Sequence, residues 1–179
     1  MRVAFIGGMH SGKTAAVNHF FALSKKAKCA GVIVKFAKPL YAAQKCFTPE
    51  GVKHRSFLQG LSDLAKTCFG PQILNQLFIE ELAKSEKLGG RLRYYKGVDV
   101  FCDDVRTSSE FQVVKEHFFI TIGIKADEKA RRQRNPGLFT GLSHCTETEI
   151  DQLLSKCDIL IKNNGTLEEF KKKLDGAWK

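Results

Sequence analysis

The stretch Gly7-Gly8-Met9-His10-Ser11-Gly12-Lys13-Thr14 constrains this chain more than any other. It fits the phosphate-loop pattern Gly-x4-Gly-Lys-Ser/Thr without a mismatch, and that pattern carries meaning only between a strand and a helix. Both flanks comply: Arg2–Ile6 is a short apolar run read as strand one, and residues 12–23 read as a helix. Glycines let the backbone curl so that several N–H groups point inward at phosphate oxygens. The helix that follows adds its positive end. Lys13 brings a full charge to the β- and γ-phosphates, and Thr14 offers a hydroxyl to Mg²⁺. Gly8, Met9, His10, Ser11, Gly12, Lys13 and Thr14 are therefore the candidate ATP-binding set.

Beyond the loop, strands and helices alternate. Strands are expected over residues 31–36, 98–102, 118–124 and 158–161. Helices are expected over 108–116, 127–133, 147–156 and 167–174. A long helical stretch over 39–88 is broken near Thr48-Pro49-Glu50-Gly51 and Gly70-Pro71. This order predicts an α/β fold of three layers, a P-loop NTPase architecture with a five-stranded parallel sheet and helices on both faces. In such sheets ligands bind beyond the carboxyl ends of the strands. The chemically able residues fall there: Lys38 after strand two, Asp103, Asp104 and Arg106 after strand three, an arginine cluster after strand four, and Asn163-Asn164-Gly165 after strand five.

A length of 179 residues suits a single domain, 1–179, with one sizeable core. The composition, 43% apolar and 27% charged, is that of a soluble globular chain. No apolar run approaches a membrane span, and the apolar stretch near the start, Val3 to Ile6, is too short for a signal peptide's core. A cytoplasmic location and no membrane partner are expected. The six cysteines include no Cys-x-x-Cys pair, which argues against structural zinc and for reduced thiols, several in the core. The net charge of +10 raises nucleic-acid binding as a minority reading. Two of the basic runs, 25–28 and 171–173, sit late on expected helices, where cations complement the dipole and solvate a face. A guanine-nucleotide switch is disfavoured, since Asn-Lys-x-Asp is absent and no Asp-x-x-Gly follows strand three.

Two segments add chemistry to the loop. A carboxylate at the end of strand three, within Asp103-Asp104-Val105-Arg106, can hold the water shell of Mg²⁺ or accept a proton. Arg106 can grip a phosphate in a bidentate fork. After strand four, a short basic helix with Arg131, Arg132 and Arg134 leads into a Gly/Pro-rich stretch, Asn135-Pro136-Gly137. Arg131 and Arg134, three apart, share a helix face, and Arg132 points elsewhere.

Asp103-Asp104-Val105-Arg106 resembles the Asp-Val-Arg element of the phage-type deoxynucleoside monophosphate kinases and the related phosphomevalonate kinases. Further segments match in order along nearly the whole chain: Phe36-Ala37-Lys38-Pro39-Leu40, Arg55-Ser56-Phe57-Leu58-Gln59, His144-Cys145-Thr146-Glu147, and the closing Asp158 to Glu169 with its Asn163-Asn164-Gly165 turn. The resemblance implies a helical acceptor-binding insert over about 38–97 and a small lid over about 131–146. It implies that Asp104 is the catalytic or Mg²⁺-organising carboxylate, and that Arg106, Lys38 and Arg55 face the acceptor's phosphate. Asn163 and Gly165 would lie near adenine, and the lid's Arg131 and Arg134 would stabilise charge in transit. Asp103 stands where the family usually has a small hydroxyl residue, so which aspartate acts stays open; Ser62-Asp63 stands where phage enzymes often have Thr-Glu. In the insert, Phe57, Leu61, Leu64 and Phe69 could line a base pocket, but packing is the favoured reading.

The expected activity is ATP-dependent phosphorylation of a (deoxy)nucleoside monophosphate, with Mg²⁺ beside Thr14 and Asp104. Phosphomevalonate kinase chemistry and a nucleotide-gated nucleic-acid-binding ATPase are the alternatives. Assembly as a homodimer stays open.

Overall fold

The computed structural model describes residues 1–48, 52, 54–89, 95–134 and 146–178. Strands are β1 (Arg2–Ile6), β2 (Ala30–Ile33), β3 (Val98–Val105), β4 (Ile120–Lys125) and β5 (Ile159–Lys162). Helices are α1 (Lys13–Lys26), α2 (Lys38–Lys45), α3 (Arg55–Phe69), α4 (Ile73–Gly89), α5 (Ser108–Glu116), α6 (Glu128–Arg134), α7 (Thr146–Leu154) and α8 (Leu167–Ala177). The strands pair in the order β2-β3-β1-β4-β5, and every pairing is parallel.

Alternation along β1 builds the layers, since successive side chains of a strand point to opposite faces. Val3 and Phe5 pack with Ala16, Val17 and Phe20 of α1 and with Phe170 and Leu174 of α8. Ala4 and Ile6 pack on the other face with Phe78 and Leu82 of α4, Val114 of α5 and Leu153 of α7. Phe20 is the pivot of the first cluster: its ring meets Phe5, Phe101 and Trp178 edge-on at 5.1, 6.1 and 5.0 Å. Phe36 stacks on Phe78 with centroids 3.9 Å apart, tying the exit of β2 to α4. Thr107 with Glu110 and Thr166 with Glu169 form reciprocal capping boxes at the starts of α5 and α8. Among the described residues no helix is long and apolar enough to cross a membrane.

Several expected boundaries move. Strand three, expected to stop at Cys102, runs to Val105, because the β1 ladder continues from Ala4 opposite Cys102 to Ile6 opposite Val105. Asp103 and Asp104 therefore lie within the strand. Strand two is shorter than expected, ending at Ile33. Strand four begins at Ile120, since Phe118 holds a left-handed φ of 59° and closes α5. Of the α3 side chains assigned to packing, Phe57, Leu64 and Phe69 are exposed and only Leu61 joins the small core, beside Leu58 of the same helix. Among the described cysteines only Cys102 is buried. The basic run 171–173 sits in the middle of α8, where Lys171 pairs with Glu168.

Candidate active site

The loop between β1 and α1 is shaped by close approach. A Cβ at Gly7 would stand 2.4 Å from the Ile124 carbonyl oxygen. Gly12 holds φ at 110°, and a Cβ there would meet the Asn163 amide nitrogen at 2.5 Å. Both positions need glycine for that reason. His10 also takes a left-handed φ, 58°, at the turn's tip. The Lys13 ammonium donates to the Gly7 and Gly8 carbonyl oxygens at 2.6 and 2.7 Å, so it lies along the rim of the loop it serves.

A knot of hydrogen bonds ties this loop to the far side of the sheet. Asn163, buried at the end of β5, donates from Nδ2 to the Ser11 carbonyl at 2.8 Å and from its backbone to Lys125 at 2.8 Å. Arg134, at the end of α6, donates from Nη2 to the Asn163 carbonyl at 2.7 Å and to its Oδ1 at 3.2 Å. Its Nη1 reaches the His10 carbonyl at 3.1 Å and that of Ser11 at 3.4 Å. Arg131, one turn back, lines a cavity of about 220 Å³ with Gly8, Ser11, Lys125 and Asp127. Arg132 turns away to pair with Glu128 in solvent. The helix face inferred from the spacing of Arg131 and Arg134 is thus the one turned to the loop.

Positive charge converges on the tip. Arg55, first residue of α3, contacts the Met9 sulfur at 2.7 Å. The His10 imidazole is held below its usual pKa of 6.5, first by burial and then by the charges of Arg55, Lys13 and Arg131. The three cations that add to the effect of burial come from separate parts of the chain, α1, α3 and α6.

The strand-three carboxylates differ sharply. Asp104 is buried, and both its oxygens are taken: Oδ2 by the Ala37 N–H at 2.9 Å, Oδ1 by the Phe36 N–H at 3.2 Å and the Cys102 thiol at 3.3 Å. Burial pushes its pKa up against the pull of those donors, and burial beside Asp104 pushes the Cys102 thiol well above its usual value. Asp103 pairs through Oδ1 with the Lys35 ammonium at 2.7 Å. Lys38 pairs with Glu81 of α4. Arg106 is exposed, and its backbone N–H donates to Glu110 at 2.7 Å. Gly165 precedes α8 and packs against Glu169. The remaining lid residues, 135–145, lie outside the described residues.

Sequence reasoning missed Lys35 and the bracing role of Asn163. The signal for Lys35 was a single cation closing the apolar run Val32-Ile33-Val34. A larger cavity, about 450 Å³, opens at the other end of the sheet by Met1, Arg2, Glu86 and Phe118. It lies away from the loop, and its Arg2 and Glu86 satisfy each other.

No protein-family model matches the chain, and comparison with curated proteins gives no match. Solved structures share its fold. Shikimate kinase from Aquifex aeolicus vf5 is 16% identical with a TM-score of 0.58, over 99% of this chain and 95% of that one. Thymidylate kinase from Candida albicans is 13% identical with a TM-score of 0.52, over 98% of this chain and 89% of that one. The five-stranded parallel sheet with helices on both faces is therefore the fold of the P-loop kinases, and at these identities the likeness is one of fold.

Proposed function

We propose that this protein transfers a phosphoryl group from ATP to a (deoxy)nucleoside monophosphate, in the manner of the phage-type deoxynucleoside monophosphate kinases. The observation that carries it is the meeting of Lys13, Arg55, Arg131 and Arg134 at the tip of one phosphate loop. These cations come from opposite sides of the loop: Arg55 from the helices between β2 and β3, Arg131 and Arg134 from α6. Cations reaching the loop from both sides suit a phosphoryl group passing from a donor to an acceptor phosphate. That solved structures of this fold are named as kinases, one of them a thymidylate kinase, supports the reaction class.

In this reading the loop N–H groups and Lys13 hold the donor's β- and γ-phosphates. Arg55 and Arg106 take the acceptor's phosphate, while Lys38 is held by Glu81 and acts there only once that pair opens. Arg131 faces the charge that spreads over the transferring group. Residues 38–97 form the acceptor-binding part of a single domain and about 131–146 the lid. The donor set suits Mg²⁺, a hard cation that takes oxygen ligands: an exposed Thr14 hydroxyl at the start of α1 and a carboxylate from β3. Bound there, Mg²⁺ would neutralise charge on the phosphates. The acceptor phosphate is already ionised near neutral pH, so the attack needs no strong base.

A coupled assay with ATP and a panel of monophosphates tests this. Turnover of one or more deoxynucleoside monophosphates is expected. Turnover of phosphomevalonate alone, or ATP hydrolysis that responds only to DNA or RNA, would sink it.

A further inference from the structure

The two neighbouring aspartates of β3 do different work. From Ala4 opposite Cys102 to Ile6 opposite Val105, β1 advances two residues and β3 three, so one residue of β3 is extra. Such a bulge re-aims a side chain. The facing of the neighbours identifies the extra residue. Asp99 accepts from Ser24 of α1 at 2.7 Å, and Phe101 packs in the α1 cluster, so alternate residues 99, 101 and 103 face the α1 layer. Val100, Cys102 and Val105 pack on the other face. Asp104, whose Oδ1 receives the Cys102 thiol, is the inserted residue, turned to the start of α2.

Lys35 agrees with this count. Val34 packs on the α4 face, so its neighbour Lys35 points to the α1 face, where it meets Asp103. That face, at the carboxyl ends of the strands, is where Lys13 and Thr14 begin α1. Asp103 is held through one oxygen by a cation that is itself a third exposed; both Asp104 oxygens are engaged by backbone N–H groups at the start of α2.

We infer that Asp103, set by Lys35, is the carboxylate that serves the Mg²⁺-nucleotide side of the loop, and that Asp104 is a tie holding the turn from β2 into α2. The inference rests on the nucleotide-binding reading above and reverses the assignment that the family resemblance implies. It also places Lys35 at the junction: when Asp103 turns to the nucleotide side, the Lys35 ammonium is released next to the acceptor-binding helices.

Binding of a non-hydrolysable ATP analogue, measured by calorimetry with and without Mg²⁺, tests it without turnover. The wild type should bind more tightly with Mg²⁺. Asp103→Asn should lose about tenfold of that gain, the scale of one charge-assisted contact. Asp104→Asn should keep the gain within about twofold and melt at a lower temperature, because the Phe36 and Ala37 N–H groups address different oxygens and the amide nitrogen that replaces one of them cannot accept. Loss of the gain in a fully folded Asp104→Asn, or its retention in Asp103→Asn, overturns the assignment. A wild type that binds the analogue equally with and without Mg²⁺ refutes the nucleotide-side reading and the inference with it.

Discussion

Replacing Asn163 by alanine should cost stability even with no nucleotide present. The side chain is buried, and its Nδ2 supplies the close donor, at 2.8 Å, to the Ser11 carbonyl. Truncation leaves that oxygen with only Arg134 at 3.4 Å and removes the Oδ1 that Arg134 uses at 3.2 Å. A buried polar group stripped of its partner costs about 1–3 kcal/mol, so about 2 kcal/mol is expected. For a chain of this size that is a fall in melting temperature of roughly 4–8 °C. The same loss loosens the carbonyls that set the loop's curl, and nucleotide affinity should drop about tenfold. Thermal denaturation of the ligand-free protein reads the first effect, and calorimetric titration with ATP the second. The contrast is useful because the family resemblance puts Asn163 near adenine. A residue serving adenine alone would leave the ligand-free protein unchanged. A variant that melts within about 1 °C of wild type would refute the bracing role.

Two more outcomes follow from the same geometry. Asp158 accepts from Lys115 at 2.7 and 3.0 Å and from the Thr121 N–H and hydroxyl at 2.8 and 2.7 Å. Burial pushes its pKa up, but these donors outweigh it and bring the value from 3.8 to about 2. Its stabilisation is therefore present above pH 3.8 and is lost as pH falls to about 2. With the carboxylate 42% exposed, the raw shift is discounted for solvent to about 1 kcal/mol. Asp158→Asn should be less stable at pH 7 by about that amount and should show a flatter acid limb between pH 4 and 2 in denaturant titrations; an unchanged limb contradicts the assignment. In the arginine cluster, Arg131→Ala should slow phosphoryl transfer about 100-fold or more. Arg132→Ala, which breaks an exposed pair with Glu128 worth about 0.3–0.5 kcal/mol, should stay within about twofold. Equal effects would mean that the cluster is a solvated face.

The fold was legible because its signals are local. A phosphate-loop pattern between an apolar run and a helix, followed by further alternation, leaves few topologies, and the sheet order obeys them. The pairing of Arg131 with Arg134 was legible from helical spacing. What escaped depends on long-range register. The extra residue in β3 exists only relative to β1, so no pattern within Val98–Val105 alone shows which aspartate it displaces. Lys38 reads as a free cation until α4 places Glu81 beside it. Asn163 reads as a turn residue until β5, next to β4, brings it under the loop. The exposure of Phe57, Leu64 and Phe69 likewise follows from how little of α3 its neighbours cover, which amphipathic spacing does not report.

The central claim is that this loop passes phosphate between two phosphates. It is tested most directly by following label from the γ-position of ATP into product, with wild type and Lys13→Ala side by side. Labelled nucleoside diphosphate is expected from at least one deoxynucleoside monophosphate with the wild type and none with the variant. Label that appears only as inorganic phosphate with every monophosphate, or transfer that survives the loss of Lys13, would contradict it.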